Sequence, residues 1–184
     1  GCVYGIIANT GFYQRRMDTA LIDKANYSEF SASNSEFLTI PSGTHGSILL
    51  NGYFYGGTVN SATNINAQDY IWKVNVENLQ DFQVIPSPIG IVPAMTFCTG
   101  NGKLYAIGTS GCIGEISTGA SLSASLVKGG YSSPGARNFH AITNDGRYLY
   151  ACLASNNAGY VYSYDTQNSL NTSGFVLLGA QGYG

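Results

Sequence analysis

A hairpin signal that recurs at a near-constant interval constrains this chain more than any other feature. It reads Asn51-Gly52-Tyr53-Phe54-Tyr55-Gly56-Gly57, returns as Asn101-Gly102-Lys103-Leu104-Tyr105-Ala106, and again as Asp145-Gly146-Arg147-Tyr148-Leu149-Tyr150-Ala151. A shortened copy, Gly1-Cys2-Val3-Tyr4-Gly5, opens the chain. Asn-Gly and Asp-Gly ahead of aromatic or aliphatic residues favour a type I′ turn, because both central positions need positive φ. Tyr4, Tyr55, Tyr105 and Tyr150 stand in phase at separations of 51, 50 and 45 residues. A hairpin repeated at such a period predicts an array of small antiparallel sheets, with the in-phase tyrosines packed between them.

The segments around each copy read as short strands. The first unit offers Val3–Ala8, Thr19–Asp23 and Glu36–Ile40, with Phe12–Asp18 as a polar connector, and lacks an inner strand. In the second unit, Gly46–Leu50 and Tyr53–Tyr55 flank the turn, and Asp69–Val76 and Phe82–Ile85 follow. The third runs Met95–Cys98, Leu104–Ile107, Cys112–Ile116 and Ser125–Val127. The fourth runs Phe139–Ile142, Tyr148–Cys152, Tyr160–Asp165 and Phe175–Leu178. No segment sustains a helical period over three turns, so the expected class is all-β.

The second unit resembles a kelch motif: an apolar strand closing in Gly-Gly (Tyr53-Phe54-Tyr55-Gly56-Gly57), a polar loop, and an aromatic-rich strand (Tyr70-Ile71-Trp72-Lys73-Val74). Tyr160-Val161-Tyr162-Ser163-Tyr164-Asp165-Thr166 is similar to the strand–Asp–Thr ending of kelch and related propellers. This resemblance implies a β-propeller of about four small antiparallel blades, or part of a larger propeller. The whole chain, 1–184, is read as one such domain, with blades near 1–42, 43–90, 91–134 and 135–184. The shortened first copy and the absence of an initiator Met suggest processing, or excision from a longer polypeptide. Open blades would expose strand edges, which favours assembly.

Composition narrows the partners. Charged residues make up 10% of the chain and the net charge is −2, so no basic stripe is available for a phosphate backbone and nucleic acid is not expected. No apolar run approaches 18 residues, so no membrane-spanning helix is expected. Cys2, Cys98, Cys112 and Cys152 form no CxxC pair, which argues against a metal site. They are expected as buried thiols, with one or two disulfides as the alternative. No cofactor is implied.

Two groups of residues are candidates for binding. His45 and His140 fall near the starts of inner strands, where a propeller opens its central channel; Thr44, Arg137 and Asn138 complete a candidate channel-mouth site. The alternative is a pair of hydrogen-bonded structural histidines. Tyr13, Tyr27 and Tyr131 are placed in loops, where tyrosine presents apolar area and a hydroxyl to a partner at low entropic cost. Neither a G-x-S-x-G elbow nor repeated Ser-x-Asp-x-Gly is present, and the few carboxylates have structural explanations, Asp145 in a turn and Asp165 at a strand end. No catalytic residue is assigned. The leading expectation is a non-enzymatic interaction module of an extracellular or virion assembly such as a phage tail or fibre, contacting other subunits or copies of itself. A secreted carbohydrate-binding propeller and a hydrolase or lyase using the channel mouth are the alternatives.

Overall fold

The computed structural model describes residues 2–7, 11–16, 36–41, 43–59, 68–129, 138–155, 158–168 and 176–182. Among them there is no helix; every regular element is a strand. Sheet 1 has three strands in the order β1 (Cys2–Ile7), β2 (Gly11–Arg16) and β3 (Glu36–Thr39). Sheet 2 is four-stranded, from β4 (Thr44–Leu50) through β5 (Tyr53–Thr58) and β6 (Tyr70–Asn75) to β7 (Phe82–Pro86). Sheet 3 runs β8 (Ala94–Cys98), β9 (Lys103–Ile107), β10 (Ile113–Ile116), β11 (Ala124–Lys128), and sheet 4 runs β12 (Asn138–Asn144), β13 (Tyr148–Ser155), β14 (Ala158–Asp165), β15 (Val176–Gly182). All pairings are antiparallel between sequence neighbours. The chain is all-β, as its sequence pattern predicts.

Turn chemistry sets the meander but differs between copies. At Asn51-Gly52 both residues take positive φ, 50° and 77°, and Leu50 pairs directly with Tyr53, which is the two-residue type I′ geometry. The other two copies depart from it. Gly102 (φ 69°) and Gly146 (φ 99°) are left-handed while Asn101 and Asp145 are not. These hairpins close through four-residue loops, with Cys98 opposite Lys103 and Asn144 opposite Leu149. The polar side chain then caps the loop: Asn101 Oδ1 accepts from Lys103 N (3.2 Å), and Asp145 Oδ1 from Arg147 N (2.9 Å) and Tyr148 N (2.8 Å).

The first strand of each four-stranded sheet lies inside: β8 packs against β4 on one side and β12 on the other. The outer edge is left to β7, β11 and β15. Pro86, which cannot donate to a ladder, ends the edge strand β7, where its missing N–H is tolerated. Sheets 2 and 3 bury Tyr55, Ile71, Met95, Leu104 and Ile116 between them; sheets 3 and 4 bury Tyr105, Ile113, Phe139, Leu149 and Tyr162. A third cluster of Trp72, Val74, Val76, Leu79 and Ile40 covers the other face of sheet 2, with Phe54 stacked on the Trp72 ring at 5.9 Å. The glycine at 56 is required here: a Cβ would run into the Trp72 indole. The Gly-Gly pattern therefore accompanies the single tryptophan.

Three expectations are corrected. Tyr13 lies in β2, opposite Gly5 and Phe37, and not in a loop; pairing on both sides makes a strand of the polar Gly11–Arg16 segment. Cys152 is exposed, although Cys98 is buried, and both are free thiols along with Cys112. Tyr150 is only half-buried, whereas Tyr55 and Tyr105 are in the core. All three tyrosines hold the same place in the second strand of their sheets, opposite Ile48, Thr96 and Thr143, but only Tyr55 and Tyr105 belong to the buried clusters between described sheets.

Candidate functional site

The two histidines share a backbone feature that only strand pairing reveals. In β4 the register jumps between Thr44, opposite Thr58, and Gly46, opposite Gly57. His45 is thus the extra residue of a bulge. In β12 the register jumps between Phe139, opposite Leu153, and Ala141, opposite Cys152, which makes His140 the extra residue there. A bulge bends its strand and re-aims the inserted side chain, and both imidazoles are exposed. Both lie at the starts of inner strands flanking β8, on the rim away from the hairpin turns.

That rim is wired through the main chain. Val59 N donates to Gly43 O (2.8 Å), Val92 N to Thr58 O (2.9 Å), Thr109 N to Ile91 O (3.3 Å) and Phe139 N to Thr109 O (3.2 Å). These bonds connect sheets 2, 3 and 4 beside the histidines. Thr44 is committed to the fold: its Oγ1 accepts from Trp72 Nε1 (3.0 Å) and donates to Pro41 O (2.9 Å). Asn138 opens β12 opposite Ala154. Arg137, Tyr27 and Tyr131 lie outside the described residues. The rim therefore brings His45 and His140 to matching positions and uses Thr44 as a brace.

The opposite rim carries the electrostatics. Tyr53 donates to Asp81 Oδ2 (2.7 Å), which raises the phenol pKa and lowers that of the carboxyl. Tyr150 donates to Asp145 Oδ2 (2.7 Å). That bond and the two backbone N–H groups hold the Asp145 carboxyl at about 2. Arg147 forks onto Asp165 through Nε (3.1 Å) and Nη2 (2.7 Å) and lies 5.0 Å from the Tyr148 ring centre. Between sheets 2 and 3, Lys73 is fully buried; its ammonium donates to Gly119 O and Ala120 O, both at 2.7 Å, 4.6 Å from the Tyr53 ring centre. The sequence places Asp145 in a turn and Asp165 at a strand end, and both stand there; the tyrosine partners of Asp81 and Asp145, and the Arg147 partner of Asp165, come only with the strand pairing. Among the described residues no group of three or more His, Cys, Asp or Glu is placed to hold a metal.

Comparison with known proteins places this geometry at the level of fold. No protein-family model matches the chain, and no curated protein matches its sequence. Among solved structures, it is similar to a chain in the crystal structure of a nidogen/laminin complex, with a TM-score of 0.55 and 12% identity. The match covers 94% of this chain and 56% of the other, so this chain spans little more than half the length of the one it matches. Radial four-stranded sheets and this likeness define the protein as a β-propeller in fold.

Proposed function

We propose that this chain is a kelch-like propeller module that works without catalysis, by contacts to other proteins within an extracellular or virion assembly. The observation that carries the reading is the propeller stack, matched to a chain whose structure was solved in a nidogen/laminin complex. The rim geometry supports it: two exposed histidines are lifted out of the ladder on a braced edge, the kind of rigid platform from which side chains reach a partner. The composition supports the setting, since a chain with only 10% charged residues and abundant Gly and Tyr relies on uncharged polar groups for solubility.

The test immobilises the chain and presents it to arrays of extracellular proteins and of glycans. Protein binding that falls at least about tenfold in the His45→Ala/His140→Ala double variant is the expected result; a loss of roughly 1.4 kcal/mol is the corresponding free energy. Glycan-only binding, or protein binding unchanged in the double variant, would refute the rim as the contact.

A further inference from the structure

The chain carries Asn-Gly at Asn51-Gly52 and Asn101-Gly102, and Asp-Gly at Asp145-Gly146. These dipeptides have a chemistry of their own. A glycine nitrogen, unshielded by a side chain, can attack the side-chain carbonyl carbon of the residue before it and close a cyclic succinimide. In a folded chain the nitrogen must be free of its own hydrogen bond, and the side chain must be free to swing onto it. The three hairpins meet these conditions unequally.

At Asn101-Gly102 both reacting groups are held. Gly102 N donates to Cys98 O (2.9 Å). Asn101 Nδ2 donates to the Tyr105 hydroxyl (3.0 Å), and its Oδ1 accepts from Lys103 N (3.2 Å). Tyr105 is itself fixed in the core. At Asp145-Gly146 the nitrogen of Gly146 donates to Asn144 Oδ1 (3.0 Å). The Asp145 carboxylate accepts from Arg147 N, Tyr148 N and the Tyr150 hydroxyl. Those contacts hold its pKa at about 2, and an ionised carboxylate is a poor acceptor for a nucleophile. Asn51-Gly52 differs in each respect. Both residues are exposed. Among the described residues neither the Asn51 amide nor Gly52 N has a hydrogen-bond partner. The space beside the Gly52 Cα is open.

We propose that Asn51-Gly52 is a self-modification site, at which the folded chain converts an asparagine amide into a carboxylate. Gly52 N gives its proton to a solvent base and attacks Asn51 Cγ. The bond from Cγ to the side-chain nitrogen breaks, and ammonia leaves. Water then adds to either carbonyl carbon of the succinimide, and the ring opens to aspartate or isoaspartate. One water enters and one ammonia departs, so no oxidant or cofactor is needed. Either product puts a new negative charge on the rim of the hairpin turns. Isoaspartate also routes the main chain through Cβ and so adds a backbone atom to the turn. With Leu50 opposite Tyr53, that turn is built for two residues of ordinary length. Gly52 O accepts from Val76 N (2.9 Å), so the change is felt beyond the hairpin, just past the end of β6.

Incubating the full chain in mildly alkaline buffer tests the proposal. Peptide mapping by mass spectrometry follows the gain of about one dalton that marks each converted asparagine, and isoaspartate shows as a shifted retention time. In the folded chain Asn51 should convert on the order of tenfold faster than Asn101, because the bonds held at Asn101-Gly102 must first be released. In concentrated urea the two rates should converge to within about twofold, since both are then unconstrained Asn-Gly pairs. Asn51 remaining intact in the folded chain, or Asn101 converting as fast as Asn51, overturns the proposal. So does a preference for Asn51 that persists in urea, because the difference would then lie in the flanking residues and not in the fold.

Discussion

Replacing Lys73 by methionine removes an ammonium from between two sheets while keeping a side chain of similar length. The ammonium makes two hydrogen bonds to the loop between β10 and β11, at Gly119 O and Ala120 O, and faces the Tyr53 ring. Hydrogen bonds from charged groups contribute about 1.5–3 kcal/mol each, and desolvation of the ammonium offsets a large part of that. Gly119 and Ala120 are exposed, so water re-satisfies their carbonyls in the variant, and Gln83 Nε2 still donates to Ala120 O (2.9 Å). The balance is a net loss of about 1–2 kcal/mol for Lys73→Met. Lys73→Ala also deletes buried methylenes at ~0.8 kcal/mol each and should lose about 3–4 kcal/mol. Urea unfolding followed by the fluorescence of Trp72, the only tryptophan and fully buried, measures both. Lys73→Met as stable as the wild type, or more so, would refute the reasoning: apolar packing would then outweigh the two hydrogen bonds. Equal losses for Met and Ala would show that the stem contributes nothing.

Gly56→Ala should destabilise by ~3 kcal/mol, because the new Cβ meets the Trp72 indole in a packed layer; the same urea titration reads it, with a shifted Trp72 emission. Asp145 has its pKa depressed from 3.8 to about 2. Its contribution to stability is therefore present above pH 4 and lost as pH falls towards 2. Asp145→Asn should flatten the fall of the melting temperature between pH 4 and 2, and an unchanged slope would show that the Tyr150 bond does not matter to stability.

Most of the fold is legible in the chain because its signals are local. Asn51-Gly52 forces a turn, and alternating aromatic runs such as Tyr160–Asp165 fix the strands beside it. The phase of the tyrosines is legible too, and places Tyr55 and Tyr105 between sheets. What covers a face is not local: Tyr150 has the same phase and remains half-exposed, and Cys152 follows it. The histidine bulges were hidden for a related reason, since the extra residue exists only relative to a partner strand, β5 or β13. Tyr13 was misplaced because Gln14-Arg15-Arg16 looks like a connector until β1 and β3 pair with its strand.

The rim bonds running from Gly43 to Phe139 also matter mechanically. Thr109 donates to Ile91 and accepts from Phe139, so tension applied to the inner strand of sheet 4 passes into sheet 3 and its connector through main-chain groups. Val92, bonded to Thr58, carries it on to sheet 2. A force arriving at His140 is thus transmitted across three sheets through successive main-chain bonds, and the rim bears load as one piece.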